Sequence, residues 1–251
     1  MIGRKNELTA GELLCGKYVI LSKAGEGGYS CAYLARRLED QQVVLVKIAK
    51  KIGRKTRKSF ERESRILSLL ENKGAPGLYE FINEEDACCL VIEYKKGSTF
   101  EDLIFEDGCM YTESESIVLL NRIIEELAPI HSHGIVHRDL RIPNILLYKG
   151  DVSIIDFGLA GSVNEKAIFR LSRNRKRFRE FSFKSDFYAL GHLLLFLLYS
   201  SYPEHEEKER PWEEELCISP ATRKITRKLL QLDEPYDKME ELQNDLIKWG
   251  N

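Results

Sequence analysis

The chain has 251 residues, 43% of them hydrophobic and 31% charged, and its 38 basic and 40 acidic side chains leave a formal charge of −2. That size buries an ample core in one large or two small domains, and this apolar content excludes intrinsic disorder. The longest apolar run, Leu193 to Tyr199, is too short to cross a bilayer, and the near-neutral charge excludes a globally basic nucleic-acid binder.

Along the chain, Met1 to Cys15 carries Glu7 and Glu12 and has no long apolar core, unlike a secretory signal. Tyr18–Leu21, Cys31–Ala35 and Val43–Ile48 are short, aliphatic and turn-bounded, and read as strands. Phe60–Leu70 spaces Phe60, Ile66, Leu67, Leu69 and Leu70 among charges and reads as a helix, and Ala87–Tyr94 is another strand. After Gly97 the pattern turns helical over Glu115–His133, Asp186–Tyr199, Pro220–Leu232 and Lys238–Trp249. Two short strands, Ile145–Tyr148 and Val152–Ile155, separate the first two of these helices. The expected organisation is therefore α+β: a β-rich unit over residues 1–94 and a mainly helical unit over 95–251, joined near Tyr94–Gly97.

The six cysteines, at 15, 31, 88, 89, 109 and 217, contain no C-x-x-C pair, and the adjacent Cys88 and Cys89 would face opposite sides of a strand. They read as reduced, small buried hydrophobes in a cytoplasmic protein. Charge is uneven. Residues 1–94 hold 16 basic and 13 acidic side chains. Basic runs lie at 47–58 and 170–184, and seven Glu fall within 204–215. Such runs most often form solvated surface, while the two basic ones also offer nucleic acid as a partner.

Several motifs carry chemistry. Gly25-Glu26-Gly27-Gly28 sits between two strands, where a glycine-rich turn lets backbone N–H groups approach phosphates. Because it does not open a helix, it is not a dinucleotide-binding loop. Lys47 ends an apolar strand, and Glu63 on the next helix is placed to pair with it. His137-Arg138-Asp139-Leu140-Arg141-Ile142-Pro143-Asn144 puts an acid, a cation and an amide in one loop, and Asp156-Phe157-Gly158 follows two strands later. Asp and Asn oxygens suit Mg²⁺ completed by substrate phosphates, and a second acid can take a proton from a hydroxyl.

With these motifs in this order, the chain resembles a eukaryotic-like (Hanks-type) Ser/Thr protein kinase from Tyr18 to about Leu246, in a compact form like small bacterial kinases. The resemblance implies a bilobal kinase fold that transfers the γ-phosphoryl group of ATP to a protein hydroxyl, using Mg²⁺ or Mn²⁺ in its place. It implies Gly25, Gly27 and Gly28 over the phosphates, and Lys47 on the α- and β-phosphates, held by Glu63. Asp139 would be the catalytic base, with Arg141 beside the transferring phosphoryl group and Asn144 and Asp156 as metal ligands. Glu93 and Lys95 would offer backbone groups to adenine, Ile92 would stand as gatekeeper, and Ala32, Leu45 and Leu146 would complete the nucleotide site. Asp186 matches the acid that opens the central helix of the second lobe.

The chain departs from that family in two places. No proline occurs between Pro143 and Pro203, so the Ala-Pro-Glu triplet that closes the activation segment is missing. The arginine that normally pairs with its glutamate has only Lys238 as a counterpart within Asp233–Lys238. Ala32 and Leu45 also replace the family's usual Val and Ala, a swap of roughly conserved volume. Ser172 and Ser182 are candidates for autophosphorylation. An ATP-binding regulatory pseudokinase and a kinase-like small-molecule phosphotransferase remain the alternative readings, and neither the protein substrate nor the oligomeric state is legible.

Overall fold

The computed structural model describes residues 7–71, 74–163, 165, 177–203 and 210–250. Ser172, residues 170–176 of the second basic run and residues 204–209 of the acidic run lie outside them. The chain divides into two compact units, Met1–Lys95 and Lys96–Asn251.

The first unit is built on an antiparallel sheet of six strands, in the order β1-β2-β3-β4-β6-β5. The strands are β1 (Leu13–Leu14), β2 (Tyr18–Glu26), β3 (Ser30–Arg37), β4 (Val43–Ala49), β5 (Leu78–Asn83) and β6 (Cys88–Glu93). Period-two alternation gives this sheet two different faces. Cys31, Tyr33, Ala35, Val44, Val46, Cys89 and Val91 join Leu14, Tyr18 and Ile20 in one apolar cluster. Helix α1 (Arg54–Leu69) buries Phe60, Glu63, Ser64, Ile66 and Leu67 and lies against β5 and β6. It starts six residues before the expected Phe60, because its first turns are polar and basic and carry no apolar period. No side chain caps it and no acid stands in its first turn, so packing rather than its ends holds it. The edge strand β5 had no counterpart in the sequence reading: only Ile82 is fully buried there, and the register shifts between Leu78 and Glu80.

The second unit is mainly helical. Helix α2 (Glu113–Ser132) begins with a capping box in which Thr112 and Glu115 satisfy each other's backbone N–H, and it buries Leu120, Ile123, Ile124, Leu127 and Ile130. Helix α3 (Phe183–Tyr199), capped by Ser182, packs against α2 and against α5 (Pro220–Leu229). The short α4 (Trp212–Glu215) precedes α5, and α6 (Met239–Trp249) closes the chain. Small strands complete the unit: β7 (Ser98–Thr99), β8 (Ile135–Val136), β9 (Ile145–Tyr148), β10 (Asp151–Ile154) and β11 (Gly161–Ser162). Lys149 and Gly150 both have positive φ and turn β9 into β10 as a two-residue hairpin. Among the described residues no helix is long and apolar enough to cross a membrane.

The cysteines differ from the expectation. Cys31, Cys88 and Cys89 are buried, but Cys15, packed at the edge of the apolar cluster, and Cys109 are half-buried and Cys217 is exposed. All six are free thiols.

Gly97 has φ +136°, and a Cβ there would lie 2.8 Å from the Leu147 backbone oxygen. Gly97→Ala therefore combines a left-handed strain with a clash against a strand backbone that cannot yield. The expected loss is about 3 kcal/mol, read as a fall in the urea midpoint at constant m-value.

Candidate active site

In the first unit the strand register sorts the predicted nucleotide residues. Gly25 pairs with Ala32, Ala32 with Lys47, and Leu45 with Ile92. Directly paired residues share a face, as do residues two apart on one strand, so Ala32, Leu45, Lys47 and Ile92 share the face opposite the apolar cluster. Lys47 and Glu63 are both buried, and their side chains meet at 2.6 Å. The strand supplies the cation and α1 the carboxylate, because Glu63 falls on the buried stripe of that helix.

Gly27 and Gly28 turn β2 into β3, with the Gly27 N–H donating to the Ser30 oxygen at 2.9 Å. Glu26, between the glycines, is held by Lys23 and Lys50, whose hydrogen bonds lower its carboxyl to about 2. The loop is thus anchored at its base while its tip, Tyr29, is exposed. Glu93 donates its N–H to the Gly77 oxygen at 2.8 Å, and its carboxylate accepts from the Gly77 N–H and pairs with Lys95 at 2.9 Å. Of the basic run 47–58, Lys47, Lys50 and Arg57 are engaged inside this unit, Arg57 on the Asn83 side chain and the Glu85 carbonyl.

In the second unit, Asp139, Arg141, Asn144 and Asp156 come together around one loop. Asp139 is buried, and its Oδ1 receives Arg141 Nε at 2.9 Å. Its Oδ2 receives Asn144 Nδ2 at 3.2 Å, and the same Nδ2 donates to the Asp139 carbonyl at 2.9 Å. The Ile155 N–H donates to the Asn144 oxygen at 3.0 Å, which ties the segment leading into Asp156 to the loop. Asp156 is exposed and has φ +64°. Leu146 is buried on β9, opposite Ser153 on β10 and Thr99 on β7.

The loop's shape is set from below by Asp186. Its fully buried carboxylate accepts from the N–H groups of His137 (2.8 Å) and Arg138 (2.7 Å) and from His131 Nε2 (2.9 Å). These bonds hold Arg138 in a left-handed backbone, φ +64°, which a residue of its kind rarely adopts. Burial pushes the Asp186 carboxyl up, but the hydrogen bonds from His131 and from the Arg138 N–H outweigh it, and its pKa lies below the ordinary value. His137 is equally buried, and desolvation lowers its pKa, so the ring is neutral. Its Nδ1 accepts from the Asp139 N–H and its Nε2 donates to the Ile155 carbonyl, which fixes the tautomer and bridges the two acidic loops. Phe157 packs edge-on against the same ring at 4.8 Å. The histidines 131, 133 and 137 thus serve as hydrogen-bond partners of Asp186, Pro129 and Ile155.

Two features escaped the sequence reading. Arg179 reaches Asp139 Oδ1 at 2.9 Å, a long-range contact with no local signature. The second concerns the missing Ala-Pro-Glu triplet. The expected counterpart residue was Lys238, but the ion pair found in this region is a different one: Lys184, two residues before Asp186, pairs with Asp237 at 2.6 Å. Lys238 instead occupies the position that caps α6.

Comparison with known proteins agrees with this geometry. Residues 18–249 match the protein kinase domain. The chain is 29% identical to the probable serine/threonine-protein kinase YbdM of Bacillus subtilis over 242 residues, covering 95% of this chain and 91% of that protein. It is 30% identical to the serine/threonine-protein kinase PrkC of the same organism over 77% of this chain, and there it spans only 32% of the relative's length. A calcium/calmodulin-dependent protein kinase type 1 of Macrobrachium nipponense is 35% identical over 57% of this chain and 43% of its own.

Proposed function

The chain belongs to the protein kinase family, and from that membership we propose that it transfers the γ-phosphoryl group of ATP to a Ser or Thr hydroxyl of a protein. The observation that carries this reading is the orientation of Asp139: a buried carboxylate fixed by Arg141 and Asn144, on a loop pinned by Asp186. Asp139 accepts a hydrogen bond from the acceptor hydroxyl and takes its proton as the oxygen attacks the γ-phosphorus. The bond from that phosphorus to the bridging oxygen breaks, and ADP leaves. Arg141, exposed beside Asp139, places positive charge where the phosphoryl oxygens gain negative charge.

In the first unit, Lys47 binds the α- and β-phosphates, with Glu63 holding its ammonium group in place. Gly25, Gly27 and Gly28 offer backbone N–H groups to the phosphates, and Ala32, Leu45 and Ile92 contact adenine, with Glu93 and Lys95 supplying backbone hydrogen bonds. The amide of Asn144 and the carboxylate of Asp156 are hard oxygen donors that fit Mg²⁺, or Mn²⁺ in its place. When bound, the metal neutralises charge on the β- and γ-phosphates. Serine and threonine are favoured as acceptors because relatives of this chain, from bacteria and animals, are named serine/threonine kinases. Six free thiols fit a reducing, cytoplasmic setting.

Labelled ATP incubated with the protein and a generic acceptor such as myelin basic protein tests the reading. Asp139→Asn keeps the shape and removes the base, and its rate falls about a thousandfold. An Asp139→Asn variant as fast as the parent, or a parent that labels neither the acceptor nor itself, refutes the assignment.

A further inference from the structure

Arg179 lies in the stretch between Asp156 and α3, far in sequence from the loop that carries Asp139. Its guanidinium has two hands. Nη2 meets Asp139 Oδ1 at 2.9 Å, and Nη1 donates to the Arg138 carbonyl at 2.5 Å. Arg138 answers in kind: its Nε donates to the Arg179 carbonyl at 2.8 Å and its Nη1 to the Leu159 carbonyl at 2.9 Å, while its guanidinium stacks on Phe181 at 3.8 Å. Each arginine therefore donates to the other's backbone, and between them they hold Leu159 and Arg179, two widely separated points of the same segment.

The contact is also asymmetric at the carboxylate. Oδ1 receives two guanidinium groups, Arg141 Nε and Arg179 Nη2, each at 2.9 Å. Oδ2 is held more loosely, by Asn144 at 3.2 Å and by Arg141 Nη2 at 3.4 Å. The Arg141 hydrogen bond and the Arg179 ion pair on one oxygen, with the weaker bonds on the other, restrain the carboxylate from rotating.

We propose that Arg179 is a positioning residue for Asp139, and that its reciprocal clasp with Arg138 fastens the chain around Arg179 to the catalytic loop without a phosphate group. The inference rests on the reading of Asp139 as the base. It also accounts for a missing Ala-Pro-Glu triplet: the segment is secured next to the chemistry itself rather than by the usual ion pair further away. Arg138 is engaged with the Leu159 and Arg179 carbonyls and the Phe181 ring.

The test uses the full chain with Arg179→Ala, Arg179→Gln and Arg179→Lys. Misplacing the carboxylate lowers kcat for transfer to myelin basic protein on the order of tenfold or more in the Ala and Gln forms, with KM for ATP within about twofold of the parent. Lysine restores the charge but not the two-handed grip, and recovers part of kcat. Chymotryptic cleavage after Phe181 rises in the Ala and Gln forms, an arm that needs no activity. Parent protein treated with phosphatase keeps its rate. A kcat that is unchanged or higher in Arg179→Ala overturns the positioning role, as does a loss confined to KM. Unaltered protection at Phe181, or activity lost on phosphatase treatment, overturns the clasp. A parent inactive toward every acceptor refutes the reading of Asp139 instead, and the cleavage arm still decides the clasp.

Discussion

Replacing Asp186 with alanine lowers the unfolding free energy by about 3–5 kcal/mol, the range for removing one side of a buried charged network. The carboxylate is wholly buried and accepts from His131, His137 and Arg138, so its loss leaves three donors without their acceptor in a dry interior. A well-packed apolar surface cannot offer them water. The second effect follows from backbone strain. Arg138 sits in a left-handed conformation because two of those bonds hold its peptide there, and Asp139 is the next residue. Released from that hold, the loop relaxes and the catalytic carboxylate moves. Transfer activity is expected to fall by about a hundredfold even at temperatures where the variant is folded, since small displacements at the reacting centre have effects of that size. Asp186→Asn keeps an acceptor oxygen and the shape, so its stability loss is smaller. Urea midpoints alongside transfer rates check both parts; an alanine variant as stable as the parent contradicts the account.

The other large effect lies in the first unit. Lys47→Met takes away the ammonium group that the buried Glu63 meets at 2.6 Å, and the expected cost is about 3 kcal/mol. Lys47→Met combined with Glu63→Leu replaces the pair by apolar side chains and recovers most of the stability, because neither charge is then left alone. Activity does not follow. Both the single and the double variant lose the cation that holds the phosphates, and both transfer at about a hundredth of the parent rate or less. The separation of the two readouts is the point: midpoints that recover with rates that do not assign the ion pair to function rather than to folding. A double variant that regains its rate removes Lys47 from the site.

Much of this arrangement is legible in the sequence because it is local. Asp139, Arg141 and Asn144 lie within six residues, and one hairpin of fixed length leads from them to Asp156. Lys47 and Glu63 are further apart, but a strand followed by an amphipathic helix places one on a sheet face and the other on the buried stripe. What stays hidden depends on contacts between distant segments. Arg179 looks like one more member of a basic run until it is found on Asp139. The beginning of α1 is invisible for a related reason, since Arg54 to Lys58 carry no apolar period. The strand β5 is hidden because a shifted register and a single fully buried residue, Ile82, blur its alternation.

The ion pair between Lys184 and Asp237 ties the first turn of α3 to the turn before α6. Both side chains are largely exposed, so dissolved salt screens the pair and it contributes about 1 kcal/mol or less. Asp186, two residues further on, is wholly buried and bonds to backbone N–H groups, where salt does not reach. Raising the ionic strength therefore loosens the outer tie at the start of α3 and leaves the support of the catalytic loop intact.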